Sequence, residues 1–131
     1  MSNIGKFSKL ITNDISNGAA RAMLYGADFS KTDFKKNLIG IGSMYYDLNP
    51  CNKHLGKLQE SVKKHTIDTM KPINFNTIGV SDGITNGNFG MKYSLPSREL
   101  IADSIETIIT DGRWSGGSYG FLIWHVTPGS I

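Results

Sequence analysis

A single cysteine, Cys51, is present in 131 residues, so no intrachain disulfide can form and a reducing compartment is expected. Long apolar stretches are also missing. The longest lies within residues 121–126, far too short to span a bilayer, and no membrane partner is expected. Charge is sparse at 19% of residues, and the net +3 comes from scattered lysines whose only adjacent pairs are Lys35 with Lys36 and Lys63 with Lys64. Without a basic stripe interleaved with aromatics, nucleic acid is not an expected partner. Internal repeats and low-complexity tracts are absent. What the chain has in quantity is glycine, 15 residues, alongside asparagine and aspartate, a turn-rich composition. The length suits one small globular domain with a core of modest size and long loops.

The pattern along the chain is that of an α/β protein. Residues 18–25, GAARAMLY, predict a short helix ended by Gly26. Residues 38–43, LIGIGS, read as a buried strand feeding a loop through Tyr46, Asn49 and Pro50. Over residues 52–65, Leu55, Leu58 and Val62 fall at i, i+3 and i+7, which predicts an amphipathic helix with its lysines on the other face. Residues 73–80 are the next strand, ending at the turn Ser81-Asp82-Gly83. Pro96 suits the first turn of a helix from about Ser97, with a face of Leu100, Ile101, Ser104, Ile105 and Ile108. The β-branched run over residues 105–109 permits helix or strand. Residues 121–126 predict a strand, closed by a turn at Thr127, Pro128 and Gly129.

Three places carry residue types that do chemistry. Cys51 lies in NPCNKHL, after one predicted strand and at the start of a predicted helix, where a helix N-terminus favours a thiolate able to ligate iron or attack as a nucleophile. On residue chemistry alone, a small buried or half-buried thiol is the favoured reading. His54 makes a Cys-x-x-His spacing with Cys51, but no second pair follows at zinc-finger spacing, and His65 and His125 stand alone. Asp82 falls at the carboxyl end of a predicted strand, where an α/β sheet places its ligands and where a carboxylate suits magnesium. The competing reading is an Asp-Gly turn residue capping its own backbone. The glycine-rich stretch at residues 110–120, TDGRWSGGSYG, is neither GxGxxG nor GxxxxGK[ST], so it carries no nucleotide signature.

Residues 74–106, NFNTIGVSDGITNGNFGMKYSLPSRELIADSIE, together with TDGRWSGGSYG, resemble the dihydroxy-acid dehydratase family, within the dihydroxy-acid/6-phosphogluconate dehydratases. The resemblance implies a partial N-terminal α/β domain at residues 1–108 and a C-terminal loop and strand at residues 109–131, joined across an internal deletion around residues 106–110. It implies dehydration of a small 2,3-dihydroxy acid to a 2-oxo acid in branched-chain amino-acid biosynthesis. In the reaction that the resemblance implies, an iron–sulfur cluster would serve as Lewis acid for the 3-hydroxyl, Mg2+ would hold the carboxylate and 2-hydroxyl, and a serine alkoxide would take the C2 proton. Residue by residue, Cys51 in NPCN resembles one of three cluster ligands, Asp82 a magnesium ligand, and Ser115, after Arg113 and Trp114, the base. The IGKFSKLIT stretch resembles the start of the mature enzyme in one branch, so Lys6 and Lys9 are not read as a leader, and a cytoplasmic location is expected.

This sequence departs from the family pattern as well. The CDKxxPG segment, a third cysteine and a later glutamate are absent, Trp124 stands where the family has glycine, and Gly129 where it has glutamate. One thiol per chain cannot supply three thiolates. The expectation is therefore a dehydratase homologue inactive alone. The alternative is a non-catalytic binding remnant that pairs with a full-length dehydratase, self-associates or holds a metal loosely.

Overall fold

Residues 37–76 form one parallel β-α-β unit, and the other described elements flank it. The computed structural model describes residues 8–111 in full and the backbone of Phe121–Ile123. The elements are α1 (Ser8–Thr12), α2 (Gly18–Gly26), β1 (Asn37–Ser43), α3 (Leu55–Thr66), β2 (Met70–Asn76), α4 (Asp82–Thr85), α5 (Pro96–Asp111) and β3 (Phe121–Ile123), with short 3-10 turns at Ile15–Asn17, Asp33–Lys35 and Phe89–Tyr93. The strands make a parallel sheet in the order β2-β1-β3, which bears out the expected α/β class. Two parallel strands need a crossover, and α3 supplies it.

β1 is the middle strand and the most covered, with Leu38, Gly40, Ile41, Gly42 and Ser43 all buried. Its glycines serve close approach. Gly42 pairs with Phe75 in the register, and a Cβ there would stand 3.0 Å from Phe75 Cζ, so the bare backbone lets the ring lie across the strand. Pro72, which lacks an N–H, is accommodated on β2 at the sheet edge. The strand expected at residues 73–80 is displaced toward the N-terminus, to Met70–Asn76. The cause is register: the seven residues of β1 pair with Met70 through Asn76, and after Thr77 N–H donates to the Ser43 carbonyl the chain has no further ladder partner.

Helix boundaries shift for local reasons too. α2 includes Gly26, and the left-handed residue that closes it is Asp28 (φ 60°). Asp28 N–H donates to the Tyr25 carbonyl and Phe29 N–H to the Leu24 carbonyl, a Schellman arrangement in which aspartate tolerates the position usually given to glycine. α3 begins at Leu55, not at Asn52, and its buried positions are Leu55 and Gln59, with Leu58 left exposed. α5 starts at Pro96 as expected and runs unbroken through residues 105–109, so these β-branched residues are helical. Its covered side is Ser97, Ile101, Ser104, Ile105, Ile108 and Ile109, while Leu100 points to solvent. The strand expected at residues 121–126 is present as β3, paired to β1 through Gly40 and Phe121; residues 124–129, including the expected turn, lie outside the described residues.

The described core is small. Phe29, Leu38, Ile41 and Leu55 are its deeply buried apolar side chains. Among the described residues no helix is long and apolar enough to cross a membrane.

Candidate functional site

Two loops leave the carboxyl ends of the central strands, the place where an α/β sheet offers room for ligands. The first runs from β1 to α3 and carries Cys51; the second runs from β2 to α4 and carries Asp82.

Cys51 lies in consecutive turns, not at the helix terminus its sequence position suggests. α3 starts four residues later, with His54 as its N-cap residue and no side-chain cap. The turns form because the Asn49 carbonyl accepts from Asn52 N–H at 3.0 Å and from Lys53 N–H at 2.9 Å. They leave the Cys51 thiol exposed and free. Asp82 is the first residue of α4, also exposed, and among the described residues its side chain accepts no backbone N–H, so the self-capping Asp-Gly turn is not what forms here. Ser115, with Arg113 and Trp114, lies outside the described residues.

Asn49 joins the two loops. It is 1% exposed, and its amide uses both ends: Oδ1 accepts from Cys51 N–H at 3.1 Å, and Nδ2 donates to the Val80 carbonyl at 3.1 Å. One side chain thus reaches to within two residues of both Cys51 and Asp82. The same contact zone explains Gly79, where a Cβ would stand 3.1 Å from Asn52 Nδ2 and 3.2 Å from the Met44 carbonyl oxygen. Beside Asp82, the hydroxyl of buried Ser81 finds no hydrogen-bond partner among the described residues.

A cleft opens next to the Cys51 turn, lined by Tyr45, Pro50, Lys53, His54, Lys57 and Asn76 among others. Tyr45 donates its hydroxyl to Asp47 at 2.7 Å, and that carboxylate raises the phenol above its usual pKa. His65 lies apart, its Nδ1 2.7 Å from the Ser61 carbonyl.

Sequence patterning left out one structural residue of this region, Gln59, by counting only apolar positions on α3. Its Nε2 donates to the Ile41 carbonyl at 2.8 Å and to the Phe75 carbonyl at 3.0 Å, holding α3 to both central strands. Its i+4 spacing from Leu55 was the available signal.

A sequence profile described as "Dihydroxy-acid/6-phosphogluconate dehydratase N-terminal" matches residues 36–117, more than half of the chain and the whole β-α-β unit with both loops. The chain belongs to this dehydratase family. It is 50% identical over 115 residues to a dihydroxy-acid dehydratase of Francisella tularensis subsp. tularensis, covering 87% of this chain and 21% of the relative. It is 53% identical over 106 residues to a dihydroxy-acid dehydratase of Lactococcus lactis subsp. cremoris, covering 79% of this chain and 19% of that protein. To a mitochondrial dihydroxy-acid dehydratase of Saccharomyces cerevisiae it is 49% identical over 110 residues, 81% of this chain and 18% of the relative. The chain spans about a fifth of the length of these curated relatives.

The one cysteine of the sequence and the described residues do not by themselves complete a site for the cofactors that the resemblance implies. A cluster held by three thiolates cannot be met by the one thiol in the sequence. For magnesium, Asp82 offers one exposed carboxylate and the orphaned Ser81 hydroxyl one further oxygen nearby. Among the described residues no three His, Cys, Asp or Glu side chains converge on a metal-sized site.

Proposed function

We propose that this chain is a dihydroxy-acid dehydratase homologue of branched-chain amino-acid biosynthesis, built from an N-terminal segment at residues 1–108 and a second-signature segment at residues 109–131, and inactive alone. In this reading Cys51 occupies a cluster-ligand position, Asp82 a magnesium-ligand position and Ser115 the position of the base. A small 2,3-dihydroxy acid is the substrate class, and the protein works in the cytoplasm.

The observation that carries the reading is the Asn49 bridge, which sets the thiol-bearing turn and the carboxylate-bearing loop side by side at the carboxyl ends of β1 and β2. The exposed thiol and exposed carboxylate are both open to whatever completes the site. Lys53 and Lys57 on the adjoining cleft suit an anionic acid. Inactivity follows from the donor count. A serine hydroxyl is too weakly acidic to act as base unless nearby positive charge or metal lowers its pKa, and the ligands that would position that charge are not in this chain.

The test is 2-oxo acid formation from 2,3-dihydroxy-3-methylbutanoate, with iron, sulfide and Mg2+ supplied and Ser115→Ala as control. The expected result is no turnover in either protein. Turnover that disappears in Ser115→Ala would overturn the claim of inactivity.

A second reading, a non-catalytic module that pairs with a full-length dehydratase, is favoured by the apolar side chains left open between residues 78 and 100: Ile78, Ile84, Phe89, Tyr93, Leu95 and Leu100. Size-exclusion chromatography of the chain mixed with a full-length dehydratase checks it. Co-elution supports pairing, and unchanged elution of both proteins removes it.

A further inference from the structure

We propose that Asn49 is a positioning residue: its side-chain amide fixes the Cys51 turn and the Asp82 loop in one arrangement, so that thiol and carboxylate are presented together. The inference deepens the site reading above and rests on it for the roles of Cys51 and Asp82.

Asn49 is the one large side chain among the described residues with almost no solvent contact, at 1% exposed. Burying an amide is costly unless its donors and acceptors are met, and here they are met across two different loops. Oδ1 takes the Cys51 N–H and Nδ2 gives to the Val80 carbonyl, each at 3.1 Å. The two partners dictate the residue type. One is a donor and the other an acceptor, so the bridging group must accept at one end and donate at the other, in a plane and at short reach. Aspartate is isosteric but offers only acceptors when ionised, and would set a carboxylate oxygen against the Val80 carbonyl. Alanine offers nothing to either loop.

The fold does not need this bridge to assemble its sheet. The β1 to β2 ladder runs over seven residue pairs without it, and Gln59 separately ties α3 to both strands. What Asn49 adds is local, because its two partners are the N–H of Cys51 itself and the carbonyl of Val80, two residues before Asp82. α4 then hangs from the clamped segment, with Ile84 and Thr85 N–H donating to the Ser81 carbonyl and Asn86 N–H to the Asp82 carbonyl. Asn49 makes no contact with the thiol sulfur or the Asp82 carboxylate among the hydrogen bonds described, so its role is to hold, not to react.

Amide hydrogen exchange on the full chain tests this without requiring activity, so its outcome is separate from that of the dehydratase assay. In Asn49→Asp, which keeps the acceptor and loses the donor, exchange at Ile84, Thr85 and Asn86 is expected to accelerate about tenfold or more. The Cys51 amide and the amides of β1, β2 and α3 should keep their wild-type rates. In Asn49→Ala, Cys51 and the residue 84–86 amides should both accelerate. Uniform acceleration across the sheet in Asn49→Asp would show a merely structural role, and unchanged rates at residues 84–86 would show no coupling; either overturns the proposal. Should neither variant fold, the wild-type chain decides: the Asn49 side-chain amide protons should exchange about tenfold or more slowly than those of a free asparagine amide, and unprotected protons overturn the bridge.

Discussion

Gln59 Nε2 lies 2.8 Å from the Ile41 carbonyl oxygen of β1 and 3.0 Å from the Phe75 carbonyl oxygen of β2, so one buried amide on the crossover helix holds both strands it connects. Gln59 is 8% exposed, so its loss strips bonds that water does not readily replace. Gln59→Leu keeps the volume and removes both donors. The expected cost is about 1–3 kcal/mol in urea unfolding at neutral pH, with the m-value unchanged. A stability equal to wild type would mean the two carbonyls are satisfied within the ladder and the amide is redundant.

Asp33 makes stability pH-dependent. Its Oδ2 accepts from Ser30 N–H at 2.9 Å, from Ser30 Oγ at 2.8 Å and from Lys71 Nζ at 3.0 Å, while Lys71 also lies 4.6 Å from the centre of the Phe29 ring. The Ser30 N–H foremost, with the Lys71 ammonium and the Ser30 hydroxyl, holds the carboxyl well below its usual value of 3.8, against the opposing effect of burial. A depressed folded-state pKa contributes stability that is complete above the unfolded value and is lost as pH falls below about 4. Asp33→Asn should therefore cost about 1–3 kcal/mol at pH 6, and the gap to wild type should narrow at pH 3. A gap that is the same at both values would show that the charge on Asp33 contributes nothing.

Anaerobic reconstitution should leave the purified chain without a stoichiometric iron–sulfur cluster. Cys51 is one thiolate, and clusters select several. Iron and sulfide analysis reads the result. A robust visible charge-transfer band that vanishes in Cys51→Ser would overturn the expectation.

Marginal stability and self-association should follow from the open apolar side chains of residues 78–100. Phe89 is 66% exposed, Tyr93 58% and Leu95 67%; Phe89 and Tyr93 make an edge-on ring pair at 6.1 Å between centroids, with Lys92 Nζ 4.7 Å from the Phe89 ring centre. The expected signs are strong binding of a hydrophobic dye and an elution volume that falls as concentration rises, both reduced in the double variant Phe89→Lys with Leu95→Lys. A monomer that melts cooperatively and binds little dye would sink this prediction.

The α/β class, the two central strands, the amphipathic crossover and the family were legible in the sequence by itself. Each rests on local pattern: the apolar run at residues 38–43, the helical spacing from Leu55 to Val62, and the motif blocks around Asp82 and TDGRWSGGSYG. Positions that depend on partners far along the chain were not legible. β2 begins at Met70 because β1 offers seven partners and no more, a matter of register that no property of residues 73–80 reveals. Asp28 takes the left-handed position of the α2 terminus in place of Gly26, because the hydrogen bonds from Asp28 and Phe29 back to Tyr25 and Leu24 set where the helix closes. Cys51 and Asp82 stood out in sequence by residue type and motif, 31 residues apart, yet only the folded chain decided that the loops bearing them share Asn49. An amide buried between two loops finds its donor and its acceptor in three dimensions, and hydrogen-bond direction carries no trace in the order of residues.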